Sequence, residues 1–133
     1  MKEKLLAIDF GTKRMGLAVN QDFLAQPLKI IHYQNQDEAL EEIVNYCNKN
    51  QIKKIILGIS ENETARKTRR FEKKLQDLLS IPIIYFDETL SSSEVIARMK
   101  LRSKPIPKYI DHFAAAFILE EWLALENSSH LDN

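Results

Sequence analysis

Acidic residues follow two short apolar segments of the chain and open a third, and acids in such places can hold a metal ion. Asp9 comes directly after the run LLAI, Asp87 and Glu88 follow IPIIYF, and Asp111 precedes the stretch HFAAAFIL. An unpaired carboxylate is unfavourable to bury, so such an acid needs a cation or a hydrogen-bond donor as partner. Ligand sets made only of oxygen favour Mg²⁺ or Mn²⁺ over Zn²⁺. These acids therefore form a candidate cation site, provided that the fold brings them together.

Glu61, which follows the apolar run KKIILGI, is a further candidate. A structural role is open to most of these acids: Asp87 could cap the turn before Thr89, and Glu61 could be solvated surface. Asp111 could simply interact with the dipole at the start of a helix. Asp9 is the hardest to explain in this way, because it ends an apolar run.

Other kinds of site find little support in the sequence. The three histidines do not have the spacing of zinc ligands, and neither a glycine-rich dinucleotide loop nor a GxxxxGK[ST] phosphate loop occurs. The single cysteine, Cys47, gives no internal disulfide framework and suits a reducing cytoplasm, so we predict a cytoplasmic protein. The apolar runs are too short for a transmembrane helix.

Two windows of positive charge stand out although the formal net charge is zero. Residues 66–74 and 98–108 together hold more than half of the 19 basic residues and a single acid, Glu72. Clustered cations of this kind favour contact with the phosphates of a polyanion. A solvated helix face would give the same composition, so both interpretations stay open.

The elements that must position these residues can be read from the hydrophobic period. With 133 residues, 44% of them hydrophobic, the chain is predicted to form one domain over residues 1–126 with a flexible tail at 127–133. The predicted strands are Leu5–Phe10, Met15–Val19, Pro27–Tyr33, Lys53–Ile59 and Ile81–Phe86. The predicted helices are Asp37–Asn50, Thr64–Ser80, a helix capped by Ser91 with Glu94 that runs to Leu101, and Lys108–Glu126.

This order predicts an α/β fold with a mixed five-stranded sheet, made of a three-stranded antiparallel meander and two parallel strands, with helices on its faces. Leu78 and Leu125 are among the residues expected in the core. Binding sites in such sheets gather beyond the carboxyl ends of the parallel strands. Asp9 and Glu88 should therefore converge there.

The chain resembles the YqgF family of RNase H-like nucleases, whose members are described as Holliday-junction-resolvase-like proteins or pre-16S rRNA nucleases. The resemblance covers about residues 5–125. It is carried by AIDFGTKRMGLAV, AQPLKII, IILGI, YFDETLSSSEV and YIDHFAAAFIL.

The resemblance implies an RNase H-like fold and a metal-dependent endonuclease, with maturation of the 5′ end of pre-16S rRNA in ribosome biogenesis as the expected role. Asp9, Glu88 and Asp111 correspond to the family's catalytic and metal-binding acids. With Mg²⁺ or Mn²⁺, they would support two-metal hydrolysis of a phosphodiester bond. The residues expected to contact structured RNA or branched DNA are Thr12, Lys13, Arg14, Arg66, Arg69, Arg70, Arg98 and Arg102.

Three segments depart from the family pattern. Thr89 stands where the family usually has arginine, the loop GISENETA is shorter and more acidic than usual, and RSKPIPKYI is less basic. These departures concern substrate contacts more than the acids.

Two other functions compete with an rRNA-processing nuclease: a DNA nuclease of the Holliday junction resolvase type, and a non-catalytic transcription or ribosome factor that binds nucleic acid on the same fold. An actin-like ATPase would need a second domain. The chain could act as a monomer or a homodimer, and a two-fold-symmetric junction would call for the dimer.

Overall fold

The computed structural model describes residues 2–61 and 63–131, and the predicted order of elements is confirmed there. The strands are β1 (Leu5–Phe10), β2 (Arg14–Gln21), β3 (Leu24–His32), β4 (Lys54–Ile59) and β5 (Ile83–Tyr85). The helices are α1 (Gln36–Asn50), α2 (Ala65–Leu78), α3 (Ser92–Leu101) and α4 (Asp111–Leu131). None of the described helices is long and apolar enough to cross a membrane.

The five strands form one mixed sheet in the order β3-β2-β1-β4-β5, as predicted. β1 pairs antiparallel with β2, and β2 pairs antiparallel with β3. β4 lies parallel to β1 on its other side, and β5 lies parallel to β4. β1 is therefore the central strand. Its carboxyl end lies beside those of the parallel strands β4 and β5, where binding sites gather in such sheets.

Alternate residues of β1 face opposite layers of the protein. Leu6, Ile8 and Phe10 pack in the core with side chains of α1 and α2. Leu5 and Ala7 pack in the second core, which α3 and α4 cover. Asp9 has the same parity as Leu5 and Ala7, so its side chain points to the layer that contains α4.

The last helix differs from the prediction at both ends. α4 begins at Asp111 and not at Lys108, because its hydrogen bonding starts with the amide of Ala114 donating to the carbonyl of Ile110 at 3.0 Å. It continues to Leu131, into the segment predicted to be a flexible tail. Residues 132 and 133 lie outside the described part of the chain.

The core prediction was wrong at Leu78 and Leu125, which are 55% and 54% exposed. α2 ends at Leu78. The next residue, Leu79, has an extended backbone, and its side chain packs against the core in place of that of Leu78. Among the residues of α4 whose burial is described, Leu123 is the last buried core residue. β1 has the predicted bounds, and the ends of the other four strands lie within three residues of the predicted ones.

Candidate metal centre and nucleic-acid interface

Asp9 is held at the carboxyl end of the central strand and is almost fully buried, with 4% of its surface exposed. Its neighbours in the sheet are both glycines, Gly16 on β2 and Gly58 on β4. Cross-strand neighbours point to the same face of a sheet. Asp9 is therefore flanked by two positions that carry no side chain.

The two glycines allow α4 to approach Asp9 closely. A Cβ atom added at Gly16 would lie 1.9 Å from the backbone carbonyl oxygen of Asp111. One added at Gly58 would lie 2.6 Å from Cδ1 of Ile118. Heavy atoms cannot approach so closely, so the absence of these side chains lets α4 begin directly over β2 and places Asp111 beside Asp9.

Burial makes the Asp9 carboxylate unfavourable in this environment. The pKa of Asp9 is raised from 3.8 to about 7, mainly by desolvation and secondly by the negative charge of Asp111. The Ser60 hydroxyl donates to Oδ2 of Asp9 at 3.3 Å, which partly lowers this pKa. Ser60 is held there because its amide donates to the carbonyl of Phe10 at 3.0 Å.

Asp111 is paired with a cation from the first hairpin. Nε of Arg14 lies 3.0 Å from Oδ2 of Asp111. The guanidinium carbon of Arg14 also lies 4.6 Å from the ring centroid of Tyr109. Arg14 therefore supplies one positive charge that offsets part of the repulsion between the carboxylates of Asp9 and Asp111.

The third predicted acid, Glu88, does not lie with Asp9 and Asp111. Its carboxyl is beside that of Glu121 on α4, and the hydrogen bond between them raises the pKa of Glu88. Glu121 also accepts from Nη2 of Arg98 at 2.9 Å. Glu88 comes three residues after the end of the short edge strand β5, so the strand does not fix its direction.

Two of the other acids of this region have structural partners, and a third is exposed. Glu61 accepts from the amide and hydroxyl of Ser92, at 3.1 and 2.6 Å, and so satisfies groups at the start of α3. Glu63 accepts from the amide of Thr12 at 3.0 Å. Asp87 is exposed.

The acid pair fits a hard divalent cation bound by two carboxylates. In the described part of the chain, no group of three or more Asp, Glu, His or Cys side chains is placed to hold a metal ion. Mg²⁺ is commonly held by one or two carboxylates, with water and substrate phosphates as its other ligands. A cavity of about 190 Å³, lined by Asp111, Ser60 and Arg14 among others, offers room for such ligands.

The predicted nucleic-acid contacts fall into two groups. Thr12, Lys13, Arg66 and Arg70 are exposed. The other four are engaged within the protein: Arg14 pairs with Asp111, Arg69 with Glu72, Arg98 with Glu121, and Arg102 with Glu120. Arg69 also lies over the ring of Tyr85, at 3.9 Å from its centroid.

Residues 3–125 match the family described as RuvX, Holliday junction resolvase. The chain belongs to the RuvX family. This is the family that the sequence motifs indicate under the name YqgF. Membership identifies the protein as a nuclease, a hydrolase that acts on nucleic acid, and nucleases of this kind generally depend on divalent metal ions.

Two relatives of this RuvX family member are each named "Putative pre-16S rRNA nuclease". The protein of Maridesulfovibrio salexigens is 33% identical over 132 residues, covering 91% of this chain and 98% of the relative. The protein of a Sulfurovum species is 35% identical over 130 residues, covering 92% and 99%. The solved structure of Thermus thermophilus RuvC superposes with a TM-score of 0.61 at 13% identity, over 94% of this chain and 96% of that one, and so shows the shared fold.

Sequence reasoning missed several residues of the site in this RuvX family member. Ser60 had a usable signal, because it directly follows β4, the parallel neighbour of β1. The importance of Gly16 was not evident, since it depends on the approach of a helix that begins 95 residues later. Tyr109 had no signal of its own beyond its position in a basic segment.

Proposed function

We propose that the protein is a divalent-metal-dependent endonuclease that cleaves structured RNA, with the 5′ region of a 16S rRNA precursor as its substrate. The observation that carries this proposal is the pair formed by Asp9 and Asp111. A buried carboxylate with a raised pKa next to a second carboxylate is an arrangement that a hard cation would stabilise. The names of the relatives support the choice of substrate.

Asp9 and Asp111 would hold Mg²⁺ or Mn²⁺ through their carboxylate oxygens. When bound, the ion supplies a Lewis acid that lowers the pKa of a water and stabilises the leaving oxygen of the phosphodiester. Ser60 fixes the orientation of Asp9 through its hydroxyl. Lys13 lies on the turn beside the acids and is exposed, so its charge can bind a phosphate of the strand, while Arg14, at the start of β2, adds positive charge to the same cavity from its pair with Asp111.

Glu88 remains the proposed third acid of a two-metal site. It follows the carboxyl end of β5, at the same end of the sheet as Asp9. Its carboxyl, however, faces Glu121 and Arg98. To join the acid pair, it would have to leave these partners. The effect of Glu88→Gln on cleavage decides whether it does so.

The central test compares Asp9→Asn with Asp87→Asn as a matched control, because Asp87 is an exposed acid near the same sheet edge. Asp9→Asn should reduce cleavage of a pre-16S rRNA fragment in Mg²⁺ or Mn²⁺ by at least about 100-fold, and Asp87→Asn should leave it within about two-fold. Circular dichroism checks that both variants are folded. Full cleavage by Asp9→Asn would refute the proposed role of the acid pair. If the protein were a non-catalytic binding factor, neither the unmodified protein nor the Asp87→Asn control would cleave the RNA.

The choice of substrate is tested by a panel of pre-16S rRNA ends, four-way DNA junctions and unstructured strands. We expect the RNA ends to be cleaved fastest. The description of the RuvX family and the fold of RuvC make the four-way junction the informative competitor. Preferential cleavage of junction DNA would overturn the RNA assignment and would call for a dimer, which sedimentation would detect. An rRNA precursor as substrate would agree with the predicted cytoplasmic location.

A further inference from the structure

A second, larger groove lies beside the acid pair, with a volume of about 750 Å³. Its walls include Lys13, Arg14, His32, Gln34 and Tyr109. Lys13 and Arg14 also line the smaller cavity that contains Asp111. The two cavities therefore share a wall, and a strand bound at the acids can continue into the larger groove.

The groove carries aromatic rings that are held in place by other contacts. The rings of His32 and Tyr109 meet edge to face, with centroids 5.1 Å apart and planes at 66°. The guanidinium of Arg14 lies over Tyr109, and Nζ of Lys108 is 5.3 Å from the centroid of the same ring. The Tyr33 hydroxyl donates to the carbonyl of Gly11, which fixes a further wall of the groove.

The polar groups of the groove complement these rings. The side chains of Lys13, His32 and Gln34 are exposed. A lysine can bind a phosphate, an aromatic ring can stack on a nucleobase, and an amide can donate to and accept from a base edge. The volume lies within the range of cavities that bind molecules the size of a nucleotide.

A base inside a duplex is stacked between its neighbours and cannot reach a ring in such a groove, whereas an unpaired base can. We propose that this groove is a subsite for one unpaired nucleotide next to the cleaved phosphate, with its base against His32 and Tyr109 and its phosphate on Lys13. The position of the cleaved phosphate rests on the proposed function, but binding of the base does not require cleavage. The groove would make the protein prefer single-stranded segments that flank structured ones.

The experiment measures binding without cleavage, in the presence of a chelator. The probe is a short fluorescent single-stranded RNA, and its affinity is compared with that of the same sequence in a duplex. Tyr109→Ala should weaken binding of the single strand by about 10-fold, since base stacking on an aromatic ring is worth about 1–3 kcal/mol by alanine substitution. The duplex should be affected by less than about two-fold. Tyr109→Phe should retain the affinity, because it keeps the ring.

Tyr109→Ala could also weaken binding by displacing Arg14, which packs on the ring. An abasic nucleotide, moved one position at a time along the RNA, distinguishes this effect from the loss of a contact with a base. At one position the abasic change should weaken binding to the unmodified protein but should have no further effect on Tyr109→Ala. If the two losses multiply at every position, the ring does not bind a base and the proposal is wrong. His32→Ala, at an exposed residue, provides a second variant with the same expected pattern.

Phe23→Ala is the matched control, because Phe23 is an aromatic residue, 61% exposed, in the turn between β2 and β3 at the opposite end of the sheet. It should leave the affinity unchanged, and a loss equal to that of Tyr109→Ala would also overturn the proposal. Failure of the proposed function would look different: Asp9→Asn would still cleave, whatever the result of the binding assay.

Discussion

Replacing Asp9 by asparagine should stabilise the metal-free protein above pH 7. The pKa of Asp9 is raised in the folded state by burial, so ionisation of this group opposes folding. Below the unfolded-state pKa, near 3.8, the carboxyl is protonated in both states and has no such effect. As the pH rises toward the folded-state pKa of about 7, the unfolded state binds fewer protons than the folded state, and the free energy of unfolding falls.

The size of this effect follows from the two pKa values. One pKa unit corresponds to about 1.4 kcal/mol, so a rise from 3.8 to about 7 amounts to roughly 4 kcal/mol when the group is fully ionised. The asparagine amide introduces donors that need partners of their own in the same buried place. We therefore expect Asp9→Asn to be more stable than the unmodified protein by about 2 kcal/mol at pH 8, and less stable by roughly 2 kcal/mol at about pH 4, where only the cost of the amide remains.

Urea unfolding in the presence of a chelator, followed at several values of pH, gives this difference directly. Other carboxylates titrate over the same range, and the comparison between the two proteins removes their shared contribution. Adding Mg²⁺ at pH 8 should then stabilise the unmodified protein, by about 2.7 kcal/mol if the ion is present at 100 times its Kd, and should leave Asp9→Asn unchanged.

A difference between the two proteins that stays constant from about pH 4 to about pH 8 would show that Asp9 is not desolvated as the structure indicates. Equal stabilisation of both proteins by Mg²⁺ would place the ion away from Asp9. Asp87→Asn serves as the control. Because Asp87 is exposed, its replacement should change neither the dependence of stability on pH nor the stabilisation by Mg²⁺.

Three further predictions concern the surroundings of the acids. Gly16→Ala should lower the free energy of unfolding by about 3 kcal/mol or more, measured by urea unfolding, because the new Cβ would meet the carbonyl of Asp111; a loss below about 1 kcal/mol would refute the close approach. Ser60→Ala should raise the pKa of Asp9 further and move the pH–rate profile for cleavage upward, and an unchanged profile would exclude the hydrogen bond. Arg70→Glu should flatten the dependence of RNA affinity on salt more than Arg102→Glu, whose guanidinium is already paired; equal slopes would place the RNA elsewhere.

The sheet was predictable from the sequence because its strands follow simple patterns. LLAI, which begins β1, and IILGI in β4 are continuous apolar runs, and central strands with both faces covered have such sequences. The helix from Gln36 was equally clear from its period and its first-turn acids. The start of α4 was misplaced, since Pro107 marks the end of a break but does not determine where hydrogen bonding begins.

The site was predictable only in part. Asp9 and Asp111 could be proposed as ligands because each ends or opens an apolar segment, and the structure places them close together. Glu88 follows an edge strand of three residues, and its side chain direction depends on a contact with Glu121 that lies far away in sequence. The pairing of Arg98 and Arg102 with acids of α4 likewise depends on how two helices meet, which a charge count along the chain does not contain.

The two glycines beside Asp9 differ in how evolution can replace them. At Gly58 the obstacle is the tip of a side chain, so a shorter residue at Ile118 can make room for alanine, and the pair can change together. At Gly16 the obstacle is the peptide carbonyl of Asp111, which every amino acid carries. No second-site substitution of a side chain relieves that collision, so in descendants that keep α4 in this place, position 16 can only be inherited unchanged.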